Sequence, residues 1–264
     1  MLGIHGLTKV WGDPSATGST RALDGIDLEV RAGEFATVIG PSGCGKSTLM
    51  EIAAGLVGPT EGSVTVAGRP LDGPHPDVGV VFQQDATFPW LTATENVAFG
   101  LEFSGVPAGE RRPRAIQALE LVGLAGFADH YPSQLSGGMR QRVNIARVLA
   151  SLPKIVLMDE PFGALDEQTR LLLAGEVLRI WQETGATILF ITHSLNEAAL
   201  LSDRIVVMTS RPGRIKEVVD NTLPRPRSID SFGTAEFTAI THHLWGLLQS
   251  EVHPWEGDVA VPAR

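Results

Sequence analysis

Cysteine is nearly absent. One residue of that kind among 264 allows no internal disulfide, and the chain fits a reducing compartment. Cations are scarce too: 21 Lys and Arg stand against 30 Asp and Glu, for a net charge of −9. A nucleic-acid surface needs clustered Lys and Arg to meet phosphates, so no nucleic-acid partner is expected. No window approaches the roughly 18–20 apolar residues that cross a bilayer. The opening "MLGIHG" lacks a basic segment followed by an apolar run, so no secretory signal is expected. Internal repeats and a long coiled-coil insertion are also missing. What is there is an acidic, soluble-type chain, 43% apolar, long enough for one large domain with subdomains.

The stretch Gly40-Pro41-Ser42-Gly43-Cys44-Gly45-Lys46-Ser47-Thr48 fits the phosphate-binding pattern G-x4-G-K-[ST]. Residues 35–39 before it form a short β-branched apolar run suited to a buried strand. From Thr48 onward come good helix formers, ending near Gly55. Glycines let successive N–H groups point inward at an anion, and the helix N-terminus adds partial positive charge. Lys46 supplies a full charge for the outer phosphates, and Ser47 offers a hydroxyl to Mg2+. Cys44 has two readings. It is a reachable thiol with a lowered pKa, whose alkylation blocks nucleotide binding, or it is a small residue that fits.

Four apolar residues, 155–158, run into Asp159 and Glu160. At a strand end, Asp159 suits a Mg2+ shell and Glu160 suits a general base for water. A third strand over 187–191 ends at Thr192-His193, and Ser194 to Glu197 has the spacing of a capping box. His193 thus falls at a strand-to-helix junction, where parallel α/β sheets hold ligands. In "LSGGMRQR", Ser136 caps a helix whose first residues, Gly137 and Gly138, leave their N–H groups bare, which makes a second anion-facing helix start. Met139, Val143, Ala146 and Ala150 fall on its inner face. One nucleotide has a single γ-phosphate, so two such sites call for a second copy of the chain.

Together and in this order, Gly40–Thr48, Gln83 in "VVFQQD", "LSGGMRQR", "IVLMDEP", "GALD" and His193 resemble the ATP-binding subunits of ABC transporters over about residues 1–220. The resemblance implies an α/β fold: a P-loop NTPase (RecA-like) core, a small antiparallel β subdomain and an inserted α-helical signature subdomain. It implies that two ATPase subunits, as a homodimer, sandwich two ATP molecules, each phosphate loop facing the partner copy's Ser136–Gly138. By the same resemblance Gln83 joins the Mg2+ shell, Asp166 lies at the dimer seam, His193 holds the γ-phosphate, and Trp11 stacks on adenine. Trp11 is separated from Gly40 by more residues than usual, with an insertion at "DPSATGST"; a purely structural aromatic is the other reading.

The ATPase domain is expected over 1–222, with its helical part about 88–150, and a Pro-rich boundary with a short helical tail over 223–264. Residues 1–35 and 62–82 read as the antiparallel layer. Thr92 to Glu95 reads as a capping box, Pro107 and Gly109 as a break before the next helix, and Leu171, Ala174, Leu178 and Trp181 as a core face. "SRPGRI" reads as a turn between two strands, and 234–249 as a helix. Three further stretches, "FPWLTATENVAFGL", "PFGALDEQTR" and "RPGRI…LPRPR", resemble importer ATPases for nitrate, taurine and sulfonates. That implies an integral membrane permease, indirectly a solute-binding protein, and a peripheral location at the cytoplasmic face of the cell membrane. The tail departs from sugar-importer ATPases, which carry a long regulatory domain. Trp90 is either a wall of the groove that receives a permease helix or part of the helical core. An ABC ATPase of translation or DNA repair is the alternative, though those usually carry two ATPase units or a coiled coil. A GTPase or small-molecule kinase would leave "LSGGMRQR" unexplained, and no Asn-Lys-x-Asp guanine reader is present.

Overall fold

The first strand, β1 (Leu2–Trp11), pairs antiparallel with β2 (Thr20–Val30), Leu2 opposite Val30. In β2 the apolar Ile26, Leu28 and Val30 are buried while Asp27 and Glu29 face water, the pattern of a sheet with one wet face. The structure is a computed structural model describing residues 1–13, 18–249 and 251. Residues 14–17 of the "DPSATGST" insertion lie outside the described residues. Next come β3 (Phe35–Ile39) and α1 (Lys46–Ala53). β4 (Glu61–Val66) and the short β5 (Arg69–Pro70) complete an antiparallel sheet ordered β2-β1-β4-β5.

β6 (Val78–Val81) does not join that layer, contrary to the expectation for 62–82. It pairs parallel with β7 (Ile155–Asp159), Val81 opposite Met158. The reason lies in its sequence: "VGVV" has no polar alternation, so neither face is fit for water. Between β6 and β7 stand α2 (Ala93–Phe103), α3 (Ala108–Leu121) and α4 (Gly137–Ala150). Gly109 does not break the chain; it sits in the first turn of α3, behind Pro107 as N-cap. The capping box at Thr92 is complete, with its hydroxyl accepting from Glu95 N and Glu95 Oε2 accepting from Thr92 N at 2.8 Å.

After β7 the chain alternates: α5 (Glu167–Thr184), β8 (Thr187–Ile191), α6 (Leu195–Leu201), β9 (Arg204–Met208), then β10 (Ile215–Asp220) and α7 (Ala235–Gln249). The second sheet is ordered β10-β9-β3-β8-β7-β6, parallel except for β10 at one edge. Its central strands are buried on both faces, and the two-residue period sorts their side chains. Phe35, Val156, Met158, Ile188 and Phe190 pack toward α2–α5. Ala36, Val38, Leu157, Leu189 and Ile191 pack toward α1 and the antiparallel sheet. On α5 Ala174 and Leu178 are core as expected, joined by Leu173 and Val177, while Leu171 is only half-buried. Phe237 and Leu244 fix α7 back onto the core. The polar connection before α7 is pinned by Arg227, 6% exposed, which donates to the carbonyls of Ser202 and Leu223; burial, with Arg225 nearby, lowers its pKa to about 10. The ends of β3, β7 and β8 lead into the phosphate loop, the acidic pair and His193, so these three meet along one edge of the sheet.

Candidate active site

The phosphate loop leaves β3 at Ile39 and enters α1 at Lys46. Gly45 precedes the helix with φ of 100°. A Cβ there would lie 2.7 Å from Leu23 Cδ2 and 2.8 Å from Ala22 O, so only glycine lets the loop lie this close to β2. Lys46 is 8% exposed, and its Nζ donates to the carbonyls of Gly40 at 2.8 Å and Pro41 at 2.9 Å. The ammonium is therefore folded over its own loop. Ser42, Gly43 and Ser47 are exposed, and Thr48 is half-buried. Cys44 corrects one expectation. Its side chain is 1% exposed, packed in the core under the loop with Sγ 3.8 Å from Lys46 Nζ. Burial pushes the thiol pKa up, with Lys46 only partly opposing. It is the small residue that fits, not a reachable, acidified thiol.

Asp159 ends β7 nearly buried, and it accepts a hydrogen bond from the Ser47 side chain. Burial pushes its carboxyl above the ordinary aspartate range; Glu160 adds to this, and Ser47 and Lys46 oppose it. Its Oδ1 has no hydrogen-bond partner. Glu160 follows with φ of 43°, a left-handed conformation uncommon outside glycine. That turn sends its carboxyl sideways: Oε2 accepts from Gln83 Nε2 at 3.1 Å and lies 3.3 Å from His193 Nδ1. Glu160 N donates to Ile191 O, which ties the ends of β7 and β8 together. His193 is held from behind. Ser194 Oγ caps α6 by accepting from Glu197 N, but Glu197 does not complete the expected box; its carboxyl accepts from Thr192 Oγ1 and lies 3.7 Å from Arg170. That carboxyl is buried and takes the Thr192 hydroxyl as its partner, while the Ser194 N–H that would complete the box donates to Thr192 Oγ1 at 2.9 Å.

Part of this set surrounds one cleft of about 620 Å³. Trp11, Ser42, Gly43, Gly45, Lys46, Ser47, Thr48, Gln83, Glu160 and His193 line it, so residues between 11 and 48 and three distant strand ends converge, while Gly40, Pro41, Cys44 and Asp159 are not in the lining. Trp11 is 42% exposed at the rim, with Lys9 Nζ 4.6 Å from its ring centre. Thr20, Ala22 and Arg211 also line the cleft and were not singled out by sequence.

Ser136, Gly137, Gly138 and Asp166 are not in this lining. Ser136 caps α4, accepting from Met139 N, and Asp166 caps α5, accepting from Thr169 N at 3.0 Å. The Thr169 hydrogen bonds hold the Asp166 carboxyl below its usual range. Both caps leave exposed faces. The signature helix is tied to the Gln83 loop: Arg140 pairs with Asp85, and Gln141 Nε2 donates to Phe82 O. Sequence reasoning also missed Asn96, fully buried in α2. Its Nδ2 donates to the carbonyls of Phe88, Leu91 and Thr92, and its Oδ1 accepts from Phe88 N and from Arg147. This folds the 86–92 segment so that Trp90 stands 70% exposed, which removes the core reading of that residue.

A phosphate loop, a buried aspartate against its serine, and a glutamate–histidine contact at neighbouring strand ends define a P-loop nucleoside-triphosphate hydrolase. The family model for ABC transporters matches residues 23–163. An uncharacterized ABC transporter ATP-binding protein of Methanocaldococcus jannaschii is 53% identical, over 95% of this chain and 92% of its own length. The taurine import ATP-binding protein TauB of Burkholderia pseudomallei is 49% identical over 76% of this chain and 77% of its own. The bicarbonate transport ATP-binding protein CmpC of Synechococcus elongatus is 49% identical over 88% of this chain and 34% of that longer protein. A solved ATP-binding cassette, a dimer in a post-hydrolysis state with ADP and Pi, superposes with a TM-score of 0.76 at 34% identity, covering 85% of this chain and all of that one. The chain belongs to the ATP-binding subunits of ABC transporters and is an ABC-type ATPase.

Proposed function

We propose that this chain powers an importer of a small anion or small organic solute, working as a dimer against a membrane permease. The observation that carries the reading is the exposed aromatic edge beside the catalytic cleft. Phe88 and Trp90 pack 5.6 Å apart, Phe88 and Phe99 4.6 Å, and Phe99 and Phe103 5.0 Å. Trp90 and Phe103, 70% and 77% exposed, leave this edge open to water. Apolar surface of this kind marks a docking site. It belongs to the segment that follows Gln83, and Gln83 contacts Glu160, so a permease helix seated there is one loop from the reacting atoms. No helix among the described residues is long and apolar enough to cross a membrane, so the translocation path would belong to that permease. The chain would work at the cytoplasmic face. The names of the taurine and bicarbonate relatives support a small solute of that chemical range.

ATP would lie with its base against Trp11 and its phosphates in the loop, under Lys46. Glu160 accepts the proton of the attacking water as the new P–O bond forms and the bond to the ADP oxygen breaks. His193, in contact with Glu160, stabilises the charge on the transferred phosphoryl group together with Lys46. Ser47 and Asp159, with Gln83, would hold Mg2+: an unpartnered, buried Asp159 Oδ1 beside a serine hydroxyl suits a hard oxygen-seeking cation. When bound there, it would neutralise phosphate charge. The exposed caps at Ser136 and Asp166 would meet the phosphate loop of a second copy, closing the dimer over ATP until hydrolysis removes the bridging charge.

The test is co-purification of tagged chain from gently solubilised membranes. A polytopic permease should accompany the wild type and be lost with Trp90→Glu, while the variant alone still hydrolyses ATP. Ribosomal or DNA-repair proteins in place of a permease would overturn the transport reading and leave the ATPase standing.

A further inference from the structure

The turn between β9 and β10 forms one wall of the cleft, and the chemistry above gives it no task. It is braced from two sides. Gly213 N donates to Ala22 O at 2.9 Å, Asp24 N donates to Gly213 O at 3.0 Å, and Arg214 Nε donates to Asp24 at 2.8 Å. A Cβ on Gly213 would sit 2.0 Å from Cys44 O, so the turn lies flat against the phosphate loop. On the other side Ser210 N donates to Glu251 Oε2 at 3.0 Å, just past the end of α7, and Lys216 Nζ reaches Glu251 Oε1 at 2.8 Å.

Arg211 sits within this braced turn. Its Nε donates to Gly43 O in the phosphate loop at 3.3 Å, and its exposed side chain lines the same cleft as Lys46. Its neighbour Arg214 has a carboxyl partner; among the described residues no carboxyl pairs with Arg211. One long hydrogen bond leaves most of a five-donor guanidinium free, and such a fork matches phosphate oxygens.

We propose that Arg211 is a further nucleotide-binding residue that meets the phosphate oxygens of bound ATP or ADP, and that Glu251 is a positioning residue that holds the turn carrying it. This rests on the nucleotide site assigned above. The chain just past the end of α7 thereby becomes part of the nucleotide-binding apparatus, although it touches no nucleotide itself.

The experiment is calorimetric titration of the full chain with ADP, together with displacement of a fluorescent ADP analogue by adenosine, which has no phosphate. Arg211→Gln should weaken ADP about tenfold and leave adenosine unchanged, with Arg211→Lys recovering part of the loss. Glu251→Gln should raise KM for ATP about threefold at unchanged kcat, a split that general loosening of the fold would not give. The nucleotide-free chain should melt at the same temperature as Arg211→Gln. ADP affinity within about twofold of wild type in Arg211→Gln, or an equal loss for adenosine, overturns the assignment. A wild-type chain that bound no ADP would bring down the nucleotide site and this inference together.

Discussion

At the scale of single residues, the most informative one is Glu160. Its φ of 43° is a conformation that non-glycine residues adopt at a cost of about 1 kcal/mol or more. In a continued strand the carboxyl would stand off one face of the sheet; the left-handed turn aims it at Gln83 and His193 instead. Glu160→Gln keeps the side chain's shape and its hydrogen-bonding reach but accepts no proton. We expect kcat to fall by about 10²–10³-fold with ATP affinity within a few-fold of wild type. Steady-state hydrolysis and equilibrium binding on the same preparation check it; hydrolysis near the wild-type rate displaces Glu160 as the base. The acids, Lys46 and His193 were legible in the sequence because each stands at a fixed place after an apolar run. Arg211 was not, since a lone arginine in a turn carries no spacing signal and its nearness to Gly43 is made only by the folded sheet. The two readings of Cys44 stayed open for a related reason. Its neighbours in sequence are polar loop residues, but its surroundings in space are Leu49, Val38 and Met208 of the core.

Elements were legible where their pattern was periodic or capped. The strands over 35–39, 155–159 and 187–191, and the caps at Thr92 and Ser136, follow from local chemistry alone. β6 was assigned to the wrong sheet because pairing depends on β7, more than seventy residues further on in the chain. The helical segment shows the same limit. That α2 forms is plain from Thr92 to Glu95, but that Asn96 also folds the preceding loop is a tertiary fact. Asn96→Ala would strand Phe88 N and Leu91 O, would leave Phe88 O and Thr92 O with only their backbone donors, and would remove a partner of Arg147, whose desolvated guanidinium already has a lowered pKa. Buried polar groups left without partners cost about 1–3 kcal/mol each, less where water reaches them, so a loss of about 2–4 kcal/mol is expected. Urea unfolding measures it, and limited proteolysis should open first between Asp85 and Leu91. A midpoint unchanged from wild type would mean that the loop finds its fold without Asn96.

At the scale of the whole molecule, the proposed dimer has each chain supply half of each composite site. The cleft gathers the loop, Glu160 and His193, while the caps at Ser136 and Asp166 are exposed outside it. α4 cannot swing Ser136–Gly138 into their own cleft without breaking the Arg140–Asp85 pair, the Gln141–Phe82 bond and the packing of Val143 and Ala146. A second copy is then the simpler donor, as the two-fold logic of closed dimers allows. This makes a sharp mixing test. Lys46→Ala disables the loop and leaves the caps; Ser136→Arg disables the cap and leaves the loop. Each variant alone builds dimers in which neither site is whole. Mixed one to one, about half the dimers pair the two variants, and each of these has one intact site, so turnover should rise to about a quarter of wild type. Hydrolysis in the mixture equal to the mean of the two variants measured separately would mean that each chain completes its own site. In that case the caps at Ser136 and Asp166 would have to serve the permease or the fold rather than a partner's nucleotide.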